Sequence, residues 1–226
     1  KAKQVYKTEK EDEYLIHYKD DATAGNGVKH DKFEGKGVLN NTISCIIFDM
    51  LEEAGIKTHM IKKLNERDIL VKKVDIFPLE VIIRNITTGS FCRRLGAPEG
   101  IVLDEPIFEM SYKNDEYGDP LINDDHAVAL KLATREELAY IKETTLKINE
   151  LLKEFFLSMN LKLVVFKIEF GKTADGTILL ADEISPDSCR LWDVDTNQKY
   201  DKDVFRQDIG DLIETYKAVL ARMQNK

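Results

Sequence analysis

A pair of β-rich runs separated by a short turn constrains the fold of this chain more than any other feature. Residues 161–171 (LKLVVFKIEFG) and 177–185 (TILLADEIS) flank the turn KTADG at 172–176. Apolar and polar residues alternate in these runs as they do in strands with one face in a core, so we predict two strands. Lys167 and Glu169 are two residues apart, and their side chains therefore project from one face of the first strand.

The second run places a further acid beside this face, and the parity of the turn decides which one. An even number of loop residues puts Asp182 beside Lys167 and Glu169, whereas an odd number puts Glu183 there. In both cases two carboxylates and a lysine converge. This arrangement suits Mg²⁺, which takes one or two protein oxygens and leaves its other positions to water and phosphate. A charge ladder on a half-exposed sheet explains the same residues equally well.

The segment SPDSCRLWD at 185–193 continues from this hairpin as a predicted loop. Arg190 offers the planar donor fork that binds a phosphate or a carboxylate. An ion pair with Asp187 or Asp193 is the structural alternative, and taken alone it is the more common use of such an arginine. Trp192, the only tryptophan of the chain, is predicted to pack.

A second basic cluster lies at residues 84–94 (RNITTGSFCRR). Arg84 at a predicted strand end and Ser90 in a Gly-Ser turn would form a small phosphate pocket, to which backbone N–H groups of the turn contribute. A solvated helix start is the alternative for Arg93 and Arg94.

Two further segments have less specific patterns. Lysines in KAK at 1–3, facing the glycine-rich ATAGNG at 22–27, could clamp the phosphates of a nucleotide, although a fraying basic terminus has the same sequence. The glycine pattern matches neither a P-loop nor a Rossmann fingerprint. Residues 113–127, which include Lys113 and Asp119, could bind a metal, hold an amine or form a polar loop, and their spacing is not that of an EF-hand.

The remaining pattern has strands first and then mixed helices and strands, which is typical of an α+β fold. Thr134 and Glu137 form a capping box that opens a long helix. Pro78 separates two strands and marks a bend. We predict two lobes, at 1–77 and 78–226, with the boundary near Ile76–Pro78. The predicted elements are strands at 3–8, 13–20, 69–74 and 79–86, a long loop at 20–37, and helices at 38–54, 134–159 and 201–224.

The composition limits the classes of function. The formal net charge of −8 argues against bulk binding of nucleic acid. The chain has no run of about 18 apolar residues and no signal peptide at its N-terminus, so we expect no membrane span. The three cysteines, Cys45, Cys92 and Cys189, have no CxxC spacing, which favours reduced thiols in a cytoplasm over disulfides or a zinc site.

Several stretches follow one another from the N-terminus to the last predicted helix: KAKQVYKT, TAGNG, FEGKGVLNN, PLEVIIRNITTGSFCRR, DPLINDDHA, KIEFGKTADG and ADEISPDSCRLWD. Together they resemble SAICAR synthetase, or phosphoribosylaminoimidazole-succinocarboxamide synthase. The resemblance implies two lobes with an ATP cleft between them, a fold distantly like those of kinases and ATP-grasp ligases. It also implies a reaction in which ATP, carboxyaminoimidazole ribotide (CAIR) and L-aspartate give ADP, phosphate and SAICAR, through an acyl phosphate, in a cytoplasmic homodimer.

The resemblance implies roles for individual residues, with nucleotide binding in the first lobe and the metal and ribotide sites in the second. The implied catalytic residues are Lys167, Glu169, Asp182 and Asp119, of which Glu169 and Asp182 would hold Mg²⁺. The implied ATP-site residues are Lys1, Ala2, Lys3, Lys73, Val74, Asp75, Ile76, Phe77 and Lys113. The implied substrate-binding residues are Arg84, Ser90 and Arg190 for the ribotide phosphate, and Asp187 in the loop SPDSCR, which like the loop TAGNG is a candidate for L-aspartate.

The chain departs from the family pattern at two places. The family usually has an acid two residues before the lysine of KIEFG, where this chain has Val165, so we expect the role of that acid to be secondary. The family motif begins Gly-Lys-Ala-Lys and this chain starts at the first lysine, which we expect to weaken the first strand. A kinase-like phosphotransferase and a nucleotide-sensing module without turnover are the alternative functions.

Overall fold

The computed structural model describes residues 1–25 and 27–225. Asn26, which belongs to the predicted TAGNG loop, and Lys226 lie outside the described residues. Helices and strands are mixed along the chain, and the predicted α+β class is confirmed. The strands are β1 (Lys3–Lys7), β2 (Glu13–Tyr18), β3 (Asp21–Ala24), β4 (Lys29–Lys32), β5 (Met60–Lys63), β6 (Asp68–Lys72), β7 (Asp75–Ile76), β8 (Leu79–Ile86), β9 (Val102–Tyr112), β10 (Leu121–Ile122), β11 (Leu161–Lys172), β12 (Ile178–Ala181) and β13 (Cys189–Asp193). The α-helices are α1 (Lys36–Glu53), α2 (Ser90–Leu95), α3 (Asp124–Ala129), α4 (Arg135–Leu157), α5 (Asp203–Arg206) and α6 (Leu212–Gln224).

A first antiparallel sheet has the strand order β1-β2-β6-β5. Helix α1 packs against it with one apolar stripe, in which Ile43, Ile47 and Leu51 are fully buried. These residues recur at helical spacing, which is why the sequence predicts this helix well. The helix ends before Gly55, whose φ of 90° is left-handed.

A second sheet has the order β10-β9-β8-β11-β12, and β11 is its central strand. Because β11 is long, each of its edges pairs with two strands: β8 and β7 on one edge, and β13 and β12 on the other. Helix α4, which begins at the predicted capping box of Thr134 and Glu137, packs against β11 and β8. This arrangement leaves the hairpin β11–β12 facing the first sheet.

The segment that connects the two sheets, which includes β7, runs along β11 and thereby sets the position of the cleft. The short strand β7 pairs with β11, and the Phe77 N–H donates to the Phe170 carbonyl at 2.9 Å. Thr58, before β5, forms a bridge with Leu180 of β12, so the two sheets also meet at the far end. One core cluster includes buried residues of both sheets, among them Ile69 of β6 and Phe170 of β11. The division at residue 77 stays a prediction.

Three segments differ from their predictions. The predicted helix at 201–224 is two helices, because Asp208 has a left-handed φ of 53° between α5 and α6, and Ile209 is exposed rather than buried. The predicted loop at 20–37 contains the hairpin β3–β4, whose short strands are rich in Asp and Lys and give little β signal. Residues 189–193 form strand β13 rather than a loop, with Trp192 buried as predicted.

The helices give no sign of a membrane span: within residues 1–25 and 27–225, none combines the length and the apolar character that crossing a bilayer requires.

Candidate active site

The hairpin β11–β12 carries the predicted carboxylates into a cleft between the two sheets. Glu169 on β11 is buried and pairs with Ala181, the last residue of β12. The loop at 173–177 has odd length, so strand alternation alone would put Glu183 on the face of Glu169. Asp182 has a left-handed φ of 59°, which ends the alternation. The sequence left open whether Asp182 or Glu183 joins this face, and in the structure both carboxylates contact the same lysine.

That lysine is Lys3 on β1. Its ammonium group contacts the carboxylate of Asp182 and lies 2.9 Å from Glu183 Oε1. Although burial opposes it, the negative charges of Asp182 and Glu183 raise the pKa of Lys3 well above its ordinary value. Burial also opposes ionisation of Asp182, but Lys3 outweighs it and lowers the pKa of that carboxyl. The first strand of the chain is thus tied across the cleft to the hairpin.

Glu169 and Asp182 are a pair of acids whose pKa values are shifted in opposite directions. Burial and the negative charge of Asp182 raise the pKa of Glu169, although Lys113 lies 2.7 Å away from Glu169 Oε1. Lys167, which projects from the same face of β11, contacts Glu80 at 2.6 Å. Acids with separated pKa values in one cleft are typical of catalytic and metal-binding sites.

The connector at 73–77 forms another wall of this cleft, which has a volume of about 550 Å³. Val74 and Ile76 line the cleft, Lys73 and Asp75 line a cavity on the other side, and Phe77 is buried. One edge of β7 pairs with β11, and in the part of the chain that the structure describes no strand pairs with the other edge.

The N-terminus and the segment after β9 complete the cleft. Lys1 and Ala2 line it, and the Ala2 carbonyl accepts a hydrogen bond from Lys19 N–H at 2.7 Å. Asp119 also lines the cleft, with a left-handed φ of 50°, and its carboxylate accepts the Asn114 N–H at 2.8 Å. The predicted ATP-side residues are therefore in one place, apart from Lys73, Asp75 and Phe77.

A second cavity, of about 410 Å³, adjoins the cleft and contains the predicted phosphate-binding residues. Arg84 on β8 and Arg190 on β13 both pair with Val165 of β11, so the two guanidinium groups lie in one row across the sheet. Arg84 Nη2 donates to Ser90 Oγ at 2.9 Å. The family acid that Val165 replaces would stand between these arginines.

Carboxylates lie behind both arginines and hold them in place. Arg84 Nε donates to Glu109 at 2.8 Å, and Arg190 Nε donates to Asp203 at 2.8 Å. Both carboxylates are largely shielded from solvent. The structural partner of Arg190 is thus neither of the two aspartates that the sequence suggested, because α5 folds back beside β13.

Asp187 lines both cavities, and the fold already engages both of its oxygens. Lys36 Nζ, which is fully buried, lies 2.6 Å from Asp187 Oδ2, and Tyr216 donates to Oδ1 at 2.5 Å. Although burial opposes it, Lys36 lowers the pKa of Asp187 to about 2. Its predicted contact with substrate stays a prediction.

Three side chains at these cavities were not predicted. His59 is buried, its ring packs edge-on against Phe48 at 5.6 Å, and it hydrogen-bonds the backbone of Asp182. Lys202 and Arg206 line the second cavity. Their spacing of four residues at the start of a predicted helix was a signal that both lie on one face.

Comparison with known proteins decides the family. The family model of SAICAR synthetase matches residues 1–223. The chain belongs to the SAICAR synthetase family. The phosphoribosylaminoimidazole-succinocarboxamide synthase of Finegoldia magna is 66% identical over 224 residues, which cover 99% of this chain and 97% of that protein.

Solved structures of the family have the same fold. A SAICAR synthetase (Type-2) in complex with ADP is 49% identical, with a TM-score of 0.97 over 100% of this chain and 96% of that one. The Type-1 crystal structure of SAICAR synthetase from Pyrococcus horikoshii OT3 is 48% identical, with a TM-score of 0.95 over 100% of this chain and 98% of that one.

Family membership confirms the predicted fold, reaction and enzyme class. The enzyme is an ATP-dependent carbon–nitrogen ligase of purine biosynthesis that joins L-aspartate to the carboxylate of CAIR. This assignment replaces the phosphotransferase and nucleotide-sensing alternatives. The roles of the individual residues stay predictions.

Proposed function

We propose that the cleft binds ATP, that the adjoining cavity binds the ribotide, and that the CAIR carboxylate meets the γ-phosphate where the two join. One observation carries this proposal. The acids Glu169 and Asp182 line the cleft, the arginines Arg84 and Arg190 line the cavity, and Lys167 lines both.

The nucleotide end of the cleft is formed by backbone and apolar side chains. Adenine would lie against Val74 and Ile76, with its edge on the free backbone edge of the connector at 73–77. The phosphates would then extend toward Lys1, Lys3 and Lys113, which supply positive charge. This places nucleotide binding mainly on residues 1–77, as the domain prediction expects.

Mg²⁺ fits the carboxylates of Glu169 and Asp182. Lysine ammonium groups contact both of them, so a cation compensates the charge of each carboxylate. Within residues 1–25 and 27–225, no three His, Cys, Asp or Glu side chains group as a metal site. Two carboxylates suffice for Mg²⁺, because water and phosphate oxygens complete its coordination. When bound, Mg²⁺ would neutralise charge on the phosphate oxygens.

The order of bond changes follows from the chemistry of a carboxylate, which is a poor acylating agent. A carboxylate oxygen of CAIR attacks the γ-phosphorus, the bond to the bridging oxygen breaks, and ADP leaves an acyl phosphate behind. The aspartate amine then attacks the carbonyl carbon, the bond to the phosphate oxygen breaks, and the nitrogen loses a proton. Both steps gather negative charge, which the ammonium group of Lys167 stabilises from a fixed position. Asp119 would act from the metal side of the cleft.

The assembly and the location of the enzyme are also proposals. A homodimer is supported by the exposed apolar side chains of Leu95, Ile101 and Val102, which a second copy would cover. The net charge of −8 and the free cysteines support a cytoplasmic enzyme that acts on small molecules and has no nucleic-acid or membrane partner.

Release of ADP, measured with ATP, Mg²⁺ and CAIR in the presence and absence of L-aspartate, tests the proposal. Continued wild-type release beyond the first turnover should require L-aspartate, because the amine must consume the acyl phosphate. Lys167→Met should lower kcat about 100-fold because a charge near the reacting atoms is lost. Lys153→Met, on the exposed face of α4, is the matched control and should keep wild-type kcat. Continued release without L-aspartate would overturn the proposed reaction order, and a Lys167→Met enzyme with wild-type kcat would overturn the role of Lys167.

A further inference from the structure

The residues that line both the cleft and the cavity include two cations with different environments. Lys167 contacts the carboxylate of Glu80 at 2.6 Å. The Lys202 ammonium group forms no hydrogen bond or ion pair with any residue in the described ranges 1–25 and 27–225. Its backbone N–H donates to the Pro186 carbonyl at 3.0 Å, which fixes the residue beside the loop at 185–188.

Other groups already engage the acids near Lys202. Lys36 and Tyr216 hold the oxygens of Asp187, while Lys3 and Ser185 contact those of Glu183. Burial, together with the positive charges of Arg206 and Lys36, lowers the pKa of Lys202, although Asp187 acts in the opposite direction. Lys202 therefore lies in a locally positive environment that an anion would stabilise.

Arg206 provides a second cation, held in place by a shared carboxylate. Arg206 Nη1 lies 2.7 Å from Asp203 Oδ1, while Arg190 Nε lies 2.8 Å from Oδ2 of the same side chain. Asp203 is almost fully buried, so it sets the relative position of both arginines. Arg206 lines the cavity on the same wall as Lys202.

We propose that Lys202, with Arg206 beside it, binds the carboxylates of L-aspartate. This inference rests on the proposed assignment of the two cavities. The ATP phosphates would use Lys3 and Lys113, and the ribotide phosphate would use Arg84 with Arg190, so the junction is left for the third substrate.

The chemistry of L-aspartate fits this junction. The amino acid has two carboxylates and must bring its amine to the activated CAIR carboxyl, which lies where the cleft meets the cavity. Lys202 lines that junction together with the hydroxyl-bearing side chains of Thr23 and Ser188. Cations at the carboxylates would orient the amine without contacting the reacting atoms.

Steady-state kinetics of Lys202→Met test the inference. The KM for L-aspartate should rise about 10- to 100-fold because a charge-assisted contact is lost, while the KM values for ATP and CAIR stay within about threefold. Lys202→Arg keeps the positive charge, so its KM for L-aspartate should rise by no more than half as much, on a logarithmic scale, as that of Lys202→Met. Lys217→Met, which removes an exposed lysine of α6, is the matched control.

Inhibition by succinate gives a readout that a purely structural role would not change. Succinate has both carboxylates but no amine, so it should compete with L-aspartate in the wild type and lose at least about tenfold in affinity in Lys202→Met. An unchanged aspartate KM, or equal increases for all three substrates, would overturn the inference. Failure of the cavity assignment would appear separately, as equal increases of the KM values for CAIR and ATP in Arg190→Ala.

Discussion

The cleft and the cavity differ in which charges face the ligand: carboxylates in the cleft, and guanidinium groups in the cavity. In the cleft, acids that include Glu169 and Asp182 face the ligand space, and lysines contact these two directly. In the cavity, Arg84 and Arg190 face the ligand space, and carboxylates lie behind them on the Nε side.

This difference indicates two modes of binding. The arginines can keep their supporting carboxylates through Nε while their outer nitrogens bind an anion, so the cavity is preorganised. In the cleft, a metal ion would have to share or replace the lysine contacts of Lys3 and Lys113. We therefore expect ligand binding to rearrange the cleft more than the cavity.

The largest expected effect is that of Glu169→Gln on the cleft. Loss of one carboxylate should lower kcat about 100- to 1000-fold, because the metal loses a ligand and the transferring charge is no longer balanced. The fold should persist, and steady-state ADP release with a thermal melt checks both points. Glu150→Gln, an exposed change on α4, serves as the control. Near-normal turnover would restore the interpretation of these acids as a structural charge ladder.

Arg190→Ala should act on the cavity alone. The KM for CAIR should rise about 10- to 100-fold because a charge-assisted contact is lost, and the KM for ATP should hardly change. The exposed Arg135→Ala is the control. Equal losses for CAIR and ATP would show that Arg190 supports the whole site rather than the ribotide phosphate.

Stability should respond to pH in opposite directions on the two sides. Burial lowers the pKa of His59, beside the cleft, to about 4, so stability is lost as pH falls from about 6.5 toward 4. Burial and the charge of Asp203 raise the pKa of Asp201, behind the cavity, to about 7, so stability is lost as pH rises from about 4 toward 7.

Matched variants separate these two contributions, which nearly cancel in the wild type. On going from pH 7 to pH 5, His59→Phe should gain about 2 kcal/mol of unfolding free energy relative to the wild type, and Asp201→Asn should lose about 2 kcal/mol. Urea unfolding at both pH values measures the changes. The shifted pKa values of His59 and Asp201 would be contradicted if, relative to the wild type, the unfolding free energies of both variants changed in the same direction between pH 7 and pH 5.

The smallest effect concerns the turn that covers Arg190. Gly89 has a left-handed φ of 60°, and a Cβ there would lie 2.5 Å from Arg190 Nη1. Gly89→Ala should therefore move the guanidinium group and weaken CAIR binding several-fold. Gly176→Ala is a control, because its φ of 89° is also positive while nothing lies within 4 Å of the new Cβ. Equal CAIR affinity in both variants would exclude the steric mechanism.

Much of the fold could be predicted because its signals are local. The periodicity of α1, the capping box at Thr134 and the β-rich run of β11 are each contained in one segment, and the structure has the helix, the cap and the strand there. The predicted alternation in β11 is wrong, because most of this central strand is buried on both faces. The interruption near Asp208 was missed because a single left-handed residue leaves the apolar spacing of the segment almost unchanged. Strand β9 carries Pro106 and several acids, which weakened its strand signal.

The site could be predicted only in part, for a related reason. The row Arg84–Val165–Arg190 depends on the register of three strands, which no single motif encodes. No single motif encodes the contact of Asp203 on α5 with Arg190 either, nor the left-handed φ of Asp182. The family resemblance brought the main residues together, while Lys202 emerged only from the three-dimensional charge environment.

Equilibrium binding of Mg²⁺–ATP analogue and of CAIR, each measured calorimetrically with the wild type, Glu169→Gln and Arg190→Ala, tests the central claim most directly. Separate cavities predict that Glu169→Gln weakens the nucleotide complex about tenfold or more and leaves CAIR affinity within about twofold, while Arg190→Ala does the reverse. Parallel losses of both ligands in either variant would contradict the division of the site into a nucleotide cleft and a ribotide cavity.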